Sequence, residues 1–287
     1  MKPVEKISYL ALNTLSNLLG HISQSGRQKC GDFLASIGYR IITTRKNEAL
    51  SNIKRAFPEK SDNWHTQVLK EAYRFFSNMF TVFMSYPTVF RFITFTVSNK
   101  SILNEALKLN KGVIFITGHF GSWELLAAWM GKAGYPFYGV AQRQRNLGAN
   151  RFFEEQRSSN HVSHLYRKDS LDTMYSLLEQ NHVLALVSDQ DAKQNGVFVD
   201  FFNTPSSTTK GAAKFHINTG APMIFASCIK TSFNNFHVSF EKIPNGTDLK
   251  MITQSFTKIL ENKIREYPEQ YFWFHRRWKT KINHDIN

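Results

Sequence analysis

"GVIFITGHFGSWELLAAWMGKAG", residues 112–134, changes its period half-way along. Val113–Thr117 is an unbroken β-branched and aromatic run between Gly112 and Gly118, as expected of a strand buried on both faces. From Ser122 onward the pattern turns helical, with Ser122 placed to cap the helix and Gly134 near its end. A strand, a glycine-bearing turn and a helix in succession form the first unit of an α/β sheet.

The same alternation continues downstream. "FYGVAQ", "VSHLY", "HVLALVS", "GVFVDFF", "PMIFASCIK" and "FHVSFEKI" read as strands. Between and after them, "GANRFFEEQRSSN", "SLDTMYSLLEQ", "TTKGAAKFHINTG" and residues 248–267 read as helices. Upstream, residues 1–110 read as mostly helical, with Ser61 and Asp62 as capping candidates and Lys111-Gly112 closing the last helix. The expected fold class is α/β: a central, largely parallel or mixed sheet flanked by helices in three layers, with an N-terminal helical extension. Residues 1–110 are expected to be a helical, membrane-associating part and 111–287 the α/β core. No Gly/Ser linker separates them, so one continuous domain is expected.

Composition narrows the functional classes. The 36 Lys+Arg against 22 Asp+Glu give a formal charge of +14, which attracts an anionic partner such as a phospholipid surface, a nucleic acid or an acidic protein. Twenty-five Phe and ten Tyr exceed what a solvated basic surface needs, and some can contact lipid. Cys30 and Cys228, far apart, form no CxxC and fit a reducing compartment. The N-terminal stretch lacks the apolar core and cleavage site of a signal peptide. It is also too interrupted, by Asn13, Thr14, Ser16 and Asn17, for a membrane span. Ile7, Leu10, Leu15, Leu18 and Leu19 recur near helical spacing, so an amphipathic helix lying on a membrane or packed on the domain is expected. There is no Walker A, G-x-G-x-x-G, HExxH or G-x-S-x-G sequence, and no RNA-binding signature. His161 and His164 form an HxxH without further ligands, and Asp189 with Asp191 lacks a third. No metal site is expected.

In an open α/β sheet ligands collect at the carboxyl ends of the strands, where His119 lies. Gly118 and Gly121 allow a tight turn beside it. Within one helix, residues five apart point about 140° away from each other, so His119 and Glu124 can meet only across a loop. A carboxylate on one imidazole nitrogen would fix the tautomer and leave the other nitrogen to remove a hydroxyl proton. Spacing alone also allows a buried structural pair, or Glu124 as a favourable charge at a helix N-terminus.

"HFGSWE" matches the H-x4-D/E motif of the lysophospholipid acyltransferase superfamily, and resembles in particular the "H-F/Y-G-N-W-E" form of the lipid A late acyltransferases. Four further blocks resemble that family in order: "RKNEALSNIKRAFPEKSD", "VAQRQRN…FFEEQRSSN", "LVSDQDAKQNGVFVDFFNTPSSTTKGAAKFHINTGAPMI" and "YPEQYFWFHRRWKT". The resemblance implies an O-acyltransferase without an acyl-enzyme. His119 would be the general base, Glu124 its orienting acid and Arg157 the donor to the tetrahedral oxyanion. From the residues alone, Arg157 could instead pair with Glu154 or Glu155. It further implies a substrate site drawing on Gly121, Ser122, Trp123, Asp189, Gln190, Thr208, Arg276 and Arg277. Asp189 is expected to order Arg157 or the site floor.

"TPSSTTKG" would offer hydroxyls and N–H groups at a helix start, for an acceptor phosphate or simply as a cap. Arg276, Arg277 and Lys279, with Arg143 and Arg145, would grip carrier protein or lipid phosphates. The aromatics of "YFWFHRRW" suit an interfacial belt or a core-facing terminal strand. No cofactor is expected, the acyl donor being a substrate, acyl carrier protein thioester or acyl-CoA. The expected partners are acyl carrier protein, a lipid A precursor or other lipid acceptor, and the inner-membrane surface at its cytoplasmic face, with no nucleic acid. Alternatives are acylation of another glycolipid, a lysophospholipid or an aminolipid, or a non-catalytic basic membrane-binding protein. Ser122 departs from the family's usual Asn and Asn203 from its usual Gly.

Overall fold

A computed structural model of the protein describes residues 1–282, so the last five positions of the expected core lie outside the described residues. Four helices come first: α1 (Pro3–His21), α2 (Gln24–Ile41), α3 (Thr43–Ala56) and α4 (Asp62–Met84). Strand β1 (Thr94–Ser98) and α5 (Lys100–Lys108) lead into β2 (Val113–Thr117), α6 (Trp123–Lys132), β3 (Phe137–Ala141) and α7 (Leu147–Ser158). Then follow β4 (Ser163–Tyr166), α8 (Leu171–Glu179), β5 (Val183–Val187), β6 (Val197–Asp200) and β7 (Pro205–Thr208). The chain closes with α9 (Gly211–Thr219), β8 (Met223–Ser232), β9 (Asn235–Lys242) and α10 (Leu249–Glu266).

Seven strands form one mixed sheet in the order β1-β9-β8-β2-β5-β3-β4. Every neighbouring pair is parallel except β8–β9, which is antiparallel. The central strand β2 is buried at all five positions, because it has a core on each face. Ile114 and Ile116 point into one, with Phe225 of β8, Ile53 of α3, Leu69 of α4 and Leu260 of α10. Val113 and Phe115 point into the other, with Leu125 of α6, Phe152 of α7 and Phe83 of α4. This two-sided burial is the reason the strand reads as a continuous apolar run.

The N-terminal helices are stitched to both layers. Tyr9 of α1 donates to Glu155 of α7 at 2.7 Å, and Gln156 donates to Ser16 at 3.0 Å. Asn52 of α3 donates to the carbonyls of Trp273 and His275, both at 2.8 Å.

Four expectations change. Strand β1 was hidden within the helical N-terminal span; it pairs with β9, so its partner lies about 140 residues downstream. "GVFVDFF" supplies β6, which stands outside the main sheet in a two-stranded antiparallel ribbon with β7. Thr208 ends β7 instead of opening a helix, since α9 starts at Gly211. The aromatic segment after α10 forms a 3-10 turn at Pro268–Gln270 and an isolated bridge between Tyr271 and Phe120 instead of a terminal strand.

Candidate active site

Register builds the site. β2 and β5 are adjacent and parallel, with Thr117 aligned to Val187. Two residues beyond the aligned ends stand His119 and Asp189. The ladder continues past the strands through Ser188 N–H donating to the Thr117 carbonyl at 3.0 Å. His119 Nδ1 then lies 2.8 Å from Asp189 Oδ1. A methyl group on Gly118 would sit only 3.0 Å from Leu260 and 3.4 Å from the Asp189 Cβ, which is why the turn between strand and histidine carries no side chain.

This corrects the expected partnership. Glu124 sits in the first turn of α6 but turns its carboxylate to α7, accepting from Arg157 Nε at 3.1 Å and Nη2 at 2.7 Å. It makes no hydrogen bond to His119 among the described residues. Arg157 is therefore ordered by Glu124, not by Asp189, nor is it paired with Glu154 or Glu155. Asp189 occupies the place beside the imidazole that was expected of Glu124.

Electrostatics fit that exchange. Burial disfavours the His119 imidazolium, but the charge and hydrogen bond of Asp189, assisted by the Glu124 charge, outweigh it and raise the ring above its usual value. Burial alone would raise the Asp189 carboxyl. The charge and hydrogen bond of His119, with a smaller contribution from His275, hold it well below the carboxylate range. Asp189 is 2% exposed, so this anion lies out of water beside one imidazole. If Nδ1 is the protonated nitrogen, as the carboxylate demands, Nε2 is left with a lone pair. The neighbour there is the Gln190 amide, with Nε2 to Nε2 3.4 Å.

The turn is locked from two sides. Gly121, at φ +58°, donates to the Gln270 carbonyl at 2.8 Å, and Ser122 N–H donates to the Cys228 carbonyl at 2.7 Å. Phe272 N–H donates to the His119 carbonyl at 2.9 Å. Ser122 flanks α6, yet its hydroxyl turns to the Met79 sulfur and caps nothing. Trp123 meets the His119 ring edge-on at 5.1 Å between centroids. Phe76 contacts both Trp123 and Phe272, and Phe272 contacts Phe274. These partly buried rings form an apolar wall beside the imidazole.

Other expected substrate residues lie elsewhere. Thr208 is fully buried, and Arg277 is 2% exposed. Arg277 donates to the Ser207 carbonyl at 2.7 Å and to Thr208 Oγ1 at 2.6 Å, so neither residue offers itself to a phosphate. Arg276 faces outward, 3.4 Å from Glu48.

The sequence reading missed Phe76, Phe272, Phe274 and His275. His275 lies 6.3 Å from His119, ring to ring, and among the described residues neither of its nitrogens has a hydrogen-bond partner. Burial pushes its pKa down to about 4, so it is neutral at physiological pH. Its place in the motif "YFWFHRRWKT" was the available signal.

Comparison with known proteins gives the family. The family model for bacterial lipid A biosynthesis acyltransferases matches residues 2–280. The chain belongs to that family. The lipid A biosynthesis palmitoleoyltransferase of Escherichia coli K12 is 23% identical over 259 residues, covering 88% of this chain and 84% of that protein. The phosphatidylinositol mannoside acyltransferase of Mycolicibacterium smegmatis is 26% identical over 184 residues, 62% of this chain and 60% of that protein. The chain thus spans about three fifths of the length of the mycobacterial relatives it matches. The lipid A biosynthesis lauroyltransferase of E. coli K12 is 28% identical over 177 residues, covering 60% and 57%.

Proposed function

We propose that this acyltransferase-family protein transfers a fatty acyl chain from a thioester donor to a hydroxyl of a glycolipid, a lipid A precursor being the leading acceptor. The observation that carries this reading is the 2.8 Å contact between His119 Nδ1 and Asp189 Oδ1, which leaves Nε2 as the base at the mouth of the sheet. The acceptor O–H gives its proton to Nε2 while its oxygen bonds to the thioester carbonyl carbon. The tetrahedral intermediate collapses, the C–S bond breaks, and the departing thiolate takes the proton back from the imidazolium. Ester and thiol are the products, and His119 returns to neutrality. Asp189 steadies the imidazolium during the cycle.

Arg157 is the proposed oxyanion donor. Its Nε and Nη2 are committed to Glu124, which leaves Nη1 for that task. The wall of Trp123, Phe76, Phe272 and Phe274 suits an acyl chain, and Gln190 yields its place on Nε2 to the acceptor hydroxyl. Acyl carrier protein is the proposed donor, being acidic in class and matched to a chain of charge +14. The relatives, which include lipid A and phosphatidylinositol mannoside acyltransferases, support a glycolipid acceptor.

We place the protein peripherally at the cytoplasmic face of the inner membrane. Among the described residues no helix is long and apolar enough to cross a membrane. Exposed Val4, Ile7, Leu10 and Leu18 on α1, with Phe33, Leu34 and Ile37 on α2, instead supply apolar faces for shallow insertion.

The deciding experiment is mass spectrometry of products after purified protein is given acyl carrier protein thioesters or acyl-CoA of several lengths with lipid A precursors, mannosylated phosphatidylinositol and lysophospholipids. A new ester on a glycolipid, lost in His119→Ala, is expected. Transfer to lysophospholipid alone would overturn the acceptor, and a fully active His119→Ala would overturn the base.

A further inference from the structure

Asp189 Oδ1 is occupied by His119; Oδ2 is buried with no well-formed hydrogen bond among the described residues, the uncharged Tyr271 hydroxyl standing beside the carboxylate. On the proposed mechanism this matters most when His119 is neutral, because the largest positive charge supporting the buried anion is then absent. Burying an uncompensated carboxylate is costly, and a group in that position tends to recapture a proton. Another buried cation belongs to the same neighbourhood. Arg277 donates through Nη1 to the Ser207 carbonyl and through Nη2 to Thr208 Oγ1, and its guanidinium lies 5.0 Å from the Phe201 ring centroid. All three partners are uncharged, and among the described residues Arg277 Nε has no hydrogen-bond partner. Among the described residues Arg277 forms no ion pair.

The backbone links this arginine to the Asp189 loop. Ser207, whose carbonyl accepts from Arg277, also accepts from Ala192 N–H at 3.3 Å, and Thr208 bridges Asp191. Thr209 donates to the Ser188 carbonyl at 3.3 Å. The buried Tyr271 hydroxyl is acted on by both charges: after burial, the charge of Asp189 opposes its ionisation, Arg277 favours it, and a weaker hydrogen-bond contribution from the Asp189 carboxylate adds to the first. Burial works against the Arg277 cation, while Tyr271, Asp189 and Asp191 support it. The titratable groups around this cluster are therefore His119, Glu124, Asp189, Asp191, Tyr271 and His275.

We propose that Arg277 is a positioning residue, the buried counter-charge that keeps the Asp189 carboxylate anionic and directed at His119 while the imidazole is neutral. This rests on the reading of His119 as the base, but its sign follows from charge alone. With Arg277 present, the pair can release its proton and leave a neutral ring beside a compensated anion. Without it, the same release leaves an uncompensated anion. The pair then holds its proton more tightly, whichever of the two residues carries it.

The test compares the full-length protein with Arg277→Met and Arg277→Lys, following the His119 ring by NMR titration and the acid limb of the pH–rate profile. Arg277→Met should raise the apparent pKa of the pair by about one unit, a tenfold change in proton affinity, and move the acid limb equally. Arg277→Lys should leave both near their original values. Folded Arg277→Met with an unmoved ring titration overturns the proposal, whatever its activity. A shifted ring in a protein that transfers no acyl group leaves the proposal standing and removes the functional reading instead. Should Arg277→Met fold poorly, Asp189→Asn/Arg277→Met is compared by thermal unfolding with both single variants. Removing both charges should restore part of the lost stability, and strictly additive losses overturn the proposal.

Discussion

His119 Nδ1 and Asp189 Oδ1 stand 2.8 Å apart although 70 residues separate them in the chain. Beside them a second pair joins Glu124 to Arg157, 33 residues away, through two hydrogen bonds. Each acid of the site thus serves a different base: Asp189 faces the imidazole and Glu124 the guanidinium. On the proposed mechanism the first pair would serve proton transfer and the second charge stabilisation, and each can be tested alone.

Asp189→Asn keeps the shape of the side chain but lets the His119 tautomer invert, placing the lone pair on the wrong nitrogen. Turnover should fall about 10²–10⁴-fold, with a much smaller change in acceptor KM. Steady-state kinetics at saturating donor checks this. A variant within threefold of the parent would show that Asp189 does not orient the ring.

For the second pair, a double-mutant cycle is the direct measurement. Both side chains are roughly three-quarters buried, at 25% and 22% exposure, so either single replacement leaves an ionic group short of its partner. Glu124→Gln and Arg157→Met should each destabilise the fold, and the double variant should lose less than their sum. The coupling expected for two residues in direct contact is about 1–3 kcal/mol, read from denaturant unfolding. Activity should fall in both Arg157→Met and the double variant, because restoring stability does not restore the proposed oxyanion donor.

How legible the site was follows from how far each contact reaches. The strand Val113–Thr117, the turn and the helix from Trp123 are local in origin and were readable from periodicity and glycines. The choice of partner for His119 was not local. It depends on β5 lying next to β2, while β3 and β4 intervene in the chain, and no feature of residues 112–134 encodes that adjacency. Glu124 was the nearest acid in sequence, yet starting a helix at Trp123 rotates it toward α7. Arg277 misled for a related reason: a cation among aromatics reads as surface, and only the fold shows that β7 and Phe201 cover it. Strand β1 escaped notice because its hydrogen-bond partner, β9, follows it by about 140 residues.

The pH dependence has a definite sign. His119 must be neutral to act, and its pKa lies above the usual 6.5, so activity should rise with pH through a limb centred above that value. Stability should move the other way. A histidine whose folded pKa exceeds its unfolded one contributes fully below about 6.5, and that contribution is lost as pH climbs through the folded pKa. Rate profiles and thermal midpoints across pH 5.5–9 should therefore oppose each other in this window. In Asp189→Asn the limb should fall to lower pH, since the anion that raised the ring is gone; a limb that stays in place would detach the titration from His119.

Gly121 tests whether the turn itself holds the pair together. Its φ of +58° is a conformation that a side chain occupies at a cost of about 1–2 kcal/mol. A Cβ there would lie 2.2 Å from the Cys228 carbonyl oxygen, and that oxygen is part of β8 and accepts the Ser122 N–H, so it cannot move aside freely. Gly121→Ala should therefore cost about 3 kcal/mol or more, counting strain and displaced backbone together. Because the shift is forced between His119 and Trp123, the imidazole should move with it. The ring titration should drift back toward 6.5 as the contact with Asp189 lengthens. Thermal unfolding measures the first effect and NMR of the His119 ring the second. Loss of stability with an unmoved ring would mean that β2 and β5 alone fix the pair.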